Sequence, residues 1–185
     1  LDVNTFFEMT GMIGSICNNP EDYASFYHNY KGKRYRHDQV HNLFGYYMTR
    51  SASEAFERYV PEKRILLFSR ASYIGMHRFG GIWQGDNASW WSHLKMNVKM
   101  MPSLNMCGFL YTGADVGGFG ADATEDLVLR WLEFAVFTPL LRNHSARGTR
   151  RQEVYRFSHV EKFADVIGVR YQILPYIYSE YMKAA

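Results

Sequence analysis

Between His41 and Tyr59 the apolar positions Leu43, Phe44, Tyr47, Met48, Ala55, Phe56 and Tyr59 recur at helical spacing, and Pro61 marks the end of that helix. Four later apolar runs are too short for helices. Residues 64–68, 81–83, 107–111 and 139–141 each predict a buried strand bounded by polar or glycine-rich sequence. Helical patterns lie between and after them. One covers 89–101, with Trp90, Leu94, Val98 and Met101 on one face; another follows the Thr124-Glu125-Asp126 cap to about residue 137. The last begins near residue 159, with a break or kink expected at Pro175. Near the start, Asn18-Asn19-Pro20-Glu21-Asp22 combines a cap, a first-turn proline and acids at the positive end of the dipole. It predicts a short helix to about residue 30, followed by a polar, basic loop over 31–38.

Helix, strand, strand, helix, strand, helix, strand, helix is the order of a parallel α/β protein, doubly wound or a (β/α)8 barrel. Arg70, Asp86, Asp115 and His144 each fall just past the end of a different predicted strand. A barrel gathers all such positions at one mouth, whereas an open sheet gathers them only at its switch point. The barrel fits better.

Composition narrows the classes. The chain has 185 residues, enough for one domain with a core, and 47% hydrophobic with 17% aromatic residues argues against disorder. A formal charge of +3 is small, and the basic runs 31–36 and 147–151 lack the interleaved aromatics of a nucleic-acid surface, so no nucleic-acid partner is expected. No window reaches the apolar length of a membrane span. Cys17 and Cys107 offer neither a disulfide framework nor metal-ligand spacing, which leans towards a reducing, cytoplasmic setting; Cys107 reads as a small core residue. Asn87-Ala-Ser and Asn143-His-Ser are formal glycosylation sequons in the proposed cleft and read as incidental. The chain opens Leu-Asp-Val without a start methionine and reads as a piece of something longer.

The candidate chemistry centres on Gly81-Ile-Trp-Gln-Gly-Asp-Asn87, where an apolar run ends on Trp83 and a tight turn presents Asp86. A carboxylic acid in a half-dry cleft has its pKa raised by desolvation and can hand a proton to a leaving group near neutral pH. Asp86 also fits the plainer job of capping the helix that starts near Ser89. Asp115, in Tyr111-Thr-Gly-Ala-Asp115, suits hydrogen bonds from sugar hydroxyls, or simply orders its glycine loop. Arg70 offers a fork of donors for vicinal hydroxyls, or an ion pair that holds Asp86 or Asp115. His144 stands after an apolar run with no second ligand at metal spacing, so no metal is expected. Trp83 is expected to face the cleft, with at least one of Trp90 and Trp91 in the core; Met96, Met100, Met101 and Met106 read as core packing. Gly118-Phe-Gly-Ala-Asp-Ala123 nominally fits a dinucleotide fingerprint, but its glycines lie too far from the strand and no acidic residue follows at the ribose distance. No nucleophile elbow, phosphate loop or kinase signature is present. Carboxylates, arginine, histidine and tryptophan without metal or cofactor suit glycoside chemistry.

These residues resemble glycoside hydrolase family 31, the retaining α-glucosidases and their relatives. Phe68-Ser-Arg-Ala-Ser-Tyr73 is similar to the strand-five motif with its substrate-binding arginine, and Trp83-Gln-Gly-Asp-Asn87 to the acid/base motif. Gly113-Ala-Asp-Val-Gly-Gly-Phe119 resembles the glycine-rich motif after strand seven, and Phe137-Thr-Pro-Leu-Leu-Arg-Asn-His144 the closing stretch with its sugar-binding histidine. Arg130-Trp131 belongs with that closing stretch, and His41-Asn-Leu-Phe-Gly45 and Arg170-Tyr-Gln-Ile-Leu-Pro-Tyr176 match flanking helices. The resemblance implies the C-terminal part of a (β/α)8 barrel, about strands five to eight, over residues 41–185, with residues 1–40 as the loop and helix insert after strand four. It implies Asp86 as general acid/base, with Arg70, Trp83, Asp115, Phe119 and His144 lining the subsite for the non-reducing glucose. No cofactor is implied, and the partner is an oligosaccharide or disaccharide substrate. The family's nucleophile motif is absent; Phe6-Phe7-Glu8-Met9 only echoes it, and the motif is expected upstream. The implied activity is exo-α-glucosidase by double displacement. The alternatives are an α-xylosidase, transglucosylase or glucan lyase on the same site, or a non-catalytic carbohydrate-binding remnant.

Overall fold

The computed structural model describes residues 20–184. The proposed Asn18-Asn19 cap, Cys17 and the Glu8 echo lie outside the described residues. The first helix, α1 (Pro20–Ser25), is shorter than the sequence pattern predicts, because the chain then turns into a hairpin of β1 (Tyr27–Tyr30) and β2 (Lys33–Arg36). Lys31 and Gly32 both take positive φ, 49° and 73°, as a two-residue hairpin turn demands. Lysine is an unusual occupant of that conformation, so the turn does not announce itself in the sequence. The Arg34 guanidinium lies 3.9 Å from the centre of the Tyr27 ring and supports the pairing. Two buried histidines, His28 on β1 and His37 at the start of α2 (His37–Val40), meet at 2.7 Å between Nε2 and Nδ1.

The following helix, α3 (Phe44–Tyr59), forms where its periodicity places it but buries a different face. Gly45, Thr49 and Ser53, spaced by four, are its buried residues, while Tyr47, Met48, Phe56 and Tyr59 are exposed. Close approach explains the stripe: a side-chain carbon on Gly45 would stand 2.5 Å from the Ala71 carbonyl oxygen.

Four parallel strands follow, ordered β3 (Phe68–Ser69), β4 (Gly81–Trp83), β5 (Thr112–Val116) and β6 (Leu140–Asn143). Helix α4 (Trp91–Met106) connects β4 to β5, and α5 (Glu125–Ala135) connects β5 to β6. Parallel strands need such crossovers, so the sequence order dictates the sheet. Strand β4 lies where its apolar run places it, while the other three sit later than theirs suggest. Residues 64–67 are outside any strand, with Ile65 and Leu66 exposed beside the short edge strand β3. Residues 107–111 lie outside any strand, joining β4 at the Tyr111 carbonyl, which accepts the Ile82 amide at 3.0 Å, and Cys107 is an exposed helix cap instead of a core residue. The true third strand is the fully buried Thr-Gly-Ala-Asp-Val.

The core gathers where α5 lies on β5. Val128, Trp131 and Leu132 pack with Ala114, Val116, Leu94 and Met101, and the stacked rings of Phe157 and Phe163 close it beneath α6 (Val160–Ala184). Thr124 caps α5 by accepting the Leu127 amide through Oγ1 at 3.3 Å, with Glu125 and Asp126 in the first turn. The buried face of α4 is Leu94, Asn97 and Met101; Trp90, Trp91 and Val98 are exposed, as are Met96, Met100 and Met106, so the predicted core roles fall to Trp131 and Met101. Helix α6 carries Pro175 without interruption. The neighbouring Tyr171 and Tyr176 are exposed, so water can reach the carbonyl that the proline leaves without a partner. Among the described residues, no helix is long and apolar enough to cross a membrane.

Trp131 is wholly buried. In the protein that carries this chain, Trp131→Ala is expected to cost about 3–5 kcal/mol, read from chemical unfolding. A loss below about 1 kcal/mol would show that the core does not depend on this contact.

Candidate active site

The C-terminal ends of all four parallel strands carry polar side chains. Arg70 follows β3, Asp86 lies three residues past β4, Asp115 sits within β5, and His144 follows β6. The loop after β4 is shaped by Gly85, whose φ of 72° disfavours any side chain; a Cβ there would also stand 3.0 Å from the Arg70 Nε and crowd it. Asp86 emerges beside it, with Oδ2 at 3.3 Å from the Arg70 Nη1. Both side chains are open to solvent, Asp86 at 47% of its surface. Within the described residues Asp86 is thus wetter than the half-dry cleft expected of it. It does not cap α4 either. The cap is Trp90, with no side-chain hydrogen bond.

Asn87 anchors this loop. It is buried, and its backbone carbonyl accepts the amides of Phe119 at 2.7 Å and Gly120 at 3.0 Å, across from the next loop. Its side-chain Oδ1 accepts the Asn97 amide at 2.9 Å from within α4. Ser89 continues the seam, donating its backbone N–H to the Gly120 carbonyl and its hydroxyl to the Ala121 carbonyl. The contact requires glycine on the other side. Gly118 has φ of 87°, and a Cβ there would stand 2.6 Å from the Ser89 Cα.

Asp115 is the buried member of the group, 1% exposed. Arg142 stands opposite it in the β5–β6 register and donates to Oδ1 from Nη2 at 2.5 Å and Nε at 3.2 Å. The same guanidinium lies 5.6 Å from the centre of the Trp83 ring and 5.7 Å from that of Phe68, so Trp83 joins the cluster through it. Burial raises the Asp115 carboxyl above its ordinary value; the Arg142 hydrogen bond and charge and the His144 ring draw it down, while the Asp86 carboxylate pushes it up. Asp86, Arg142 and His144 therefore all lie within electrostatic reach of one buried carboxylate. On the far side, the Phe119 and His144 rings lie 5.2 Å apart at 31°, and the Ala146 amide donates to the Phe119 carbonyl at 2.9 Å.

The six residues singled out in the sequence thus fall into three pairs along the strand ends: Arg70 with Asp86, Trp83 and Asp115 joined through Arg142, and Phe119 with His144. Arg142 itself is the residue that sequence reasoning missed. Its position beside His144 was visible, but its role depends on strand register, which pairs it with Asp115. An open cavity of about 960 Å³ adjoins His144 between β6 and α6, lined by Leu141, Asn143, Ile167, Arg170 and Leu174; neither Asp86 nor Arg70 borders it. Among the described residues, no three His, Cys, Asp or Glu side chains are grouped to hold a metal ion.

Comparison with known proteins places this arrangement. The family model for the glycosyl hydrolases family 31 TIM-barrel domain matches residues 8–180. The chain is 36% identical over 161 residues to alpha-glucosidase 2 of Bacillus thermoamyloliquefaciens, covering 85% of this chain and 20% of that protein. It is 35% identical over 151 residues to a probable glucan 1,3-alpha-glucosidase of Arabidopsis thaliana, covering 80% of this chain and 16% of that protein. Among solved structures, a dextranase of the same family from Flavobacterium johnsoniae, complexed with glucose, superimposes with a TM-score of 0.80 at 27% identity, over 90% of this chain and 22% of that one. A glucosidase II alpha subunit bound to alpha3-Glc2 gives a TM-score of 0.76 at 33% identity, over 81% and 17%. The chain thus spans about a fifth or less of the curated relatives just named. The parallel sheet and its helices are the C-terminal part of a (β/α)8 barrel.

A carboxyl whose folded-state pKa lies above its unfolded value costs stability once it ionises, and that cost disappears as pH falls through the folded pKa. Removing Arg142 pushes Asp115 up further. Arg142→Met is therefore expected to lose about 3–5 kcal/mol at neutral pH, with the loss shrinking as pH falls into the carboxylate range. Unfolding of the whole protein at the two pH values checks this. An equal loss at both would mean that Arg142 acts only by packing on Trp83 and Phe68.

Proposed function

The chain belongs to glycoside hydrolase family 31, and on that basis we propose that it carries the acid/base half of a retaining exo-α-glucosidase site. Asp86 is the general acid/base. Arg70, Trp83, Asp115, Phe119 and His144 line the subsite for the terminal glucose, with Arg142 holding Asp115. The observation that carries this reading is the buried Asp115–Arg142 pair at the ends of adjacent strands, flanked by the Arg70–Asp86 pair at the ends of the two strands before it and by His144 after β6.

The chemistry follows from the division of labour between two carboxyl groups. A nucleophilic carboxylate supplied by sequence upstream of this segment attacks the anomeric carbon while Asp86 protonates the departing oxygen. Asp86, now a carboxylate, then takes a proton from the water that releases glucose from the glycosyl-enzyme. Retention requires the two carboxyl groups to stand about 5–5.5 Å apart. Arg70 holds the Asp86 carboxyl group in place at 3.3 Å, and a bound sugar that displaces water from this open pair strengthens the proton transfer. The buried Asp115 and Arg142 offer a fixed acceptor and donor to sugar hydroxyls, beside the faces of Trp83 and Phe119. α-Glucans as substrates are supported by the relatives, whose names describe α-glucosidases, glucan 1,3-alpha-glucosidases and a glucose-complexed dextranase.

In the full-length enzyme, Asp86→Asn is expected to lower turnover of maltose by about 10²–10⁴-fold. The loss on aryl α-glucosides is smaller, because their leaving groups depart without a proton, and azide, which needs no base, restores part of the remaining rate. Equal losses on both substrates would remove Asp86 from the acid/base role. Absence of glucose release by the unmodified enzyme from maltose, isomaltose and aryl α-glucosides would reject the glucosidase reading itself.

A further inference from the structure

We propose that Gln152, a residue with no place in the motifs above, is a positioning residue whose side-chain amide fixes the spacing between the β5 and β6 loops and so between Phe119 and His144. The inference rests on the glycosidase reading just given. Gln152 is 3% exposed and lies on the return of the chain from β6, between Arg151 and Glu153. Its Nε2 stands 2.9 Å from the Val116 carbonyl oxygen and 3.2 Å from those of Gly118 and His144. It also stands 3.2 Å from the Asn143 Oδ1, and the Asn143 amide in turn donates to the Gln152 backbone carbonyl at 2.8 Å. Two of these oxygens belong to the end of β5 and the loop that carries Phe119; the other two belong to the end of β6 and to His144 itself.

Two N–H groups thus serve four oxygens from two separate loops. Turning the amide over would set Oε1 against the same four acceptors, so the donor end is fixed by its surroundings. The Oε1 atom is buried with no hydrogen-bond partner among the described residues. A buried amide oxygen left unpaired costs stability, and the position keeps it because the donor end is needed. Gly117 makes room: a Cβ there would stand 3.2 Å from the Gln152 Nε2. Without the amide, the strand-end carbonyls lose their shared donor, and beside Phe119 and His144 the two loops keep the Ala146 to Phe119 bond, the Arg150 bonds to Asp122 and Ala123 lying farther along the β5 loop. The sugar pocket loosens there while the sheet beneath it stays intact.

The test uses the full-length enzyme with Gln152→Met, which keeps length but removes the donor, and Gln152→Glu, which keeps shape. For Gln152→Met, kcat/KM on 4-nitrophenyl α-glucoside is expected to fall by about tenfold to a hundredfold, chiefly through KM. Hydrogen exchange at the Ala146 amide speeds by a similar factor, while exchange within α5 is unchanged. For Gln152→Glu, an ionised carboxylate faces four oxygens, whereas its protonated form can donate. Its kcat/KM relative to the unmodified enzyme therefore recovers as pH falls from about 8 to about 5, and that of Gln152→Met does not. Unchanged kcat/KM and unchanged exchange at Ala146, or a lowered melting temperature alone, would overturn the positioning role. Failure of the unmodified enzyme to turn over the aryl glucoside would reject the glucosidase reading instead, and the exchange measurement would still decide whether Gln152 clamps the two loops.

Discussion

A carboxylate sealed inside a parallel sheet is the constraint around which the strand ends are organised. Asp115 is buried, and taking its charge out of water costs several kcal/mol unless a partner with good geometry meets it. Arg142 meets it from the matching position on the neighbouring strand, and the guanidinium lies 5.6 Å from the centre of the Trp83 ring and 5.7 Å from that of Phe68. Residues of β3, β4, β5 and β6 are thereby tied to one ion pair. Displacing any one of these strands leaves a buried charge poorly matched or an aromatic face uncovered. Such a cluster is rigid because its alternatives are expensive.

From that fixed centre the loops are attached in series. The Asn87 carbonyl receives two amides of the next loop, and Phe119 in that loop receives the amide of Ala146 in the one after. Asp86, open to solvent like its partner Arg70, gains its placement from this chain of bonds and from Arg70, rather than from burial of its own. The division is physically sensible. A group that must gain and lose a proton needs access to solvent and substrate, while the groups that orient it can be buried and permanently paired. Glycines at 85, 117 and 118 make the arrangement possible, since all three take positive φ and two of them press against a backbone or a guanidinium.

Much of this was legible in the sequence, and what was not has identifiable causes. Short apolar runs between helical patterns announced a parallel sheet, and the polar residues near their ends are those found at the sheet's C-terminal edge. Boundaries slipped because buried strands here contain little that is apolar: Thr112-Gly-Ala-Asp-Val116 is fully buried yet reads as a glycine loop, while the apolar residues before it merely lead in. Arg142 was overlooked because its partner is set by register between strands whose limits were themselves displaced. Trp90 and Trp91 show the converse error. Large aromatic size suggested burial, but α4 turns the smaller Asn97 inward, where it reaches Asn87. The hairpin over 27–36 was lost to a Lys-Gly turn that lacks the usual asparagine or aspartate.

The seams between successive strand ends join residues at similar distances along the chain. Ser89 reaches Ala121 over 32 residues, Asp115 reaches Arg142 over 27, and Gln152 reaches back to Val116 over 36. None of these three bonds waits for a remote terminus; each needs only the next strand–helix unit to have left the ribosome. At about 5–20 residues per second, every such step is completed within seconds of the one before it. A nascent chain can therefore close this mouth one tooth at a time, like a zip, in the direction of its own synthesis.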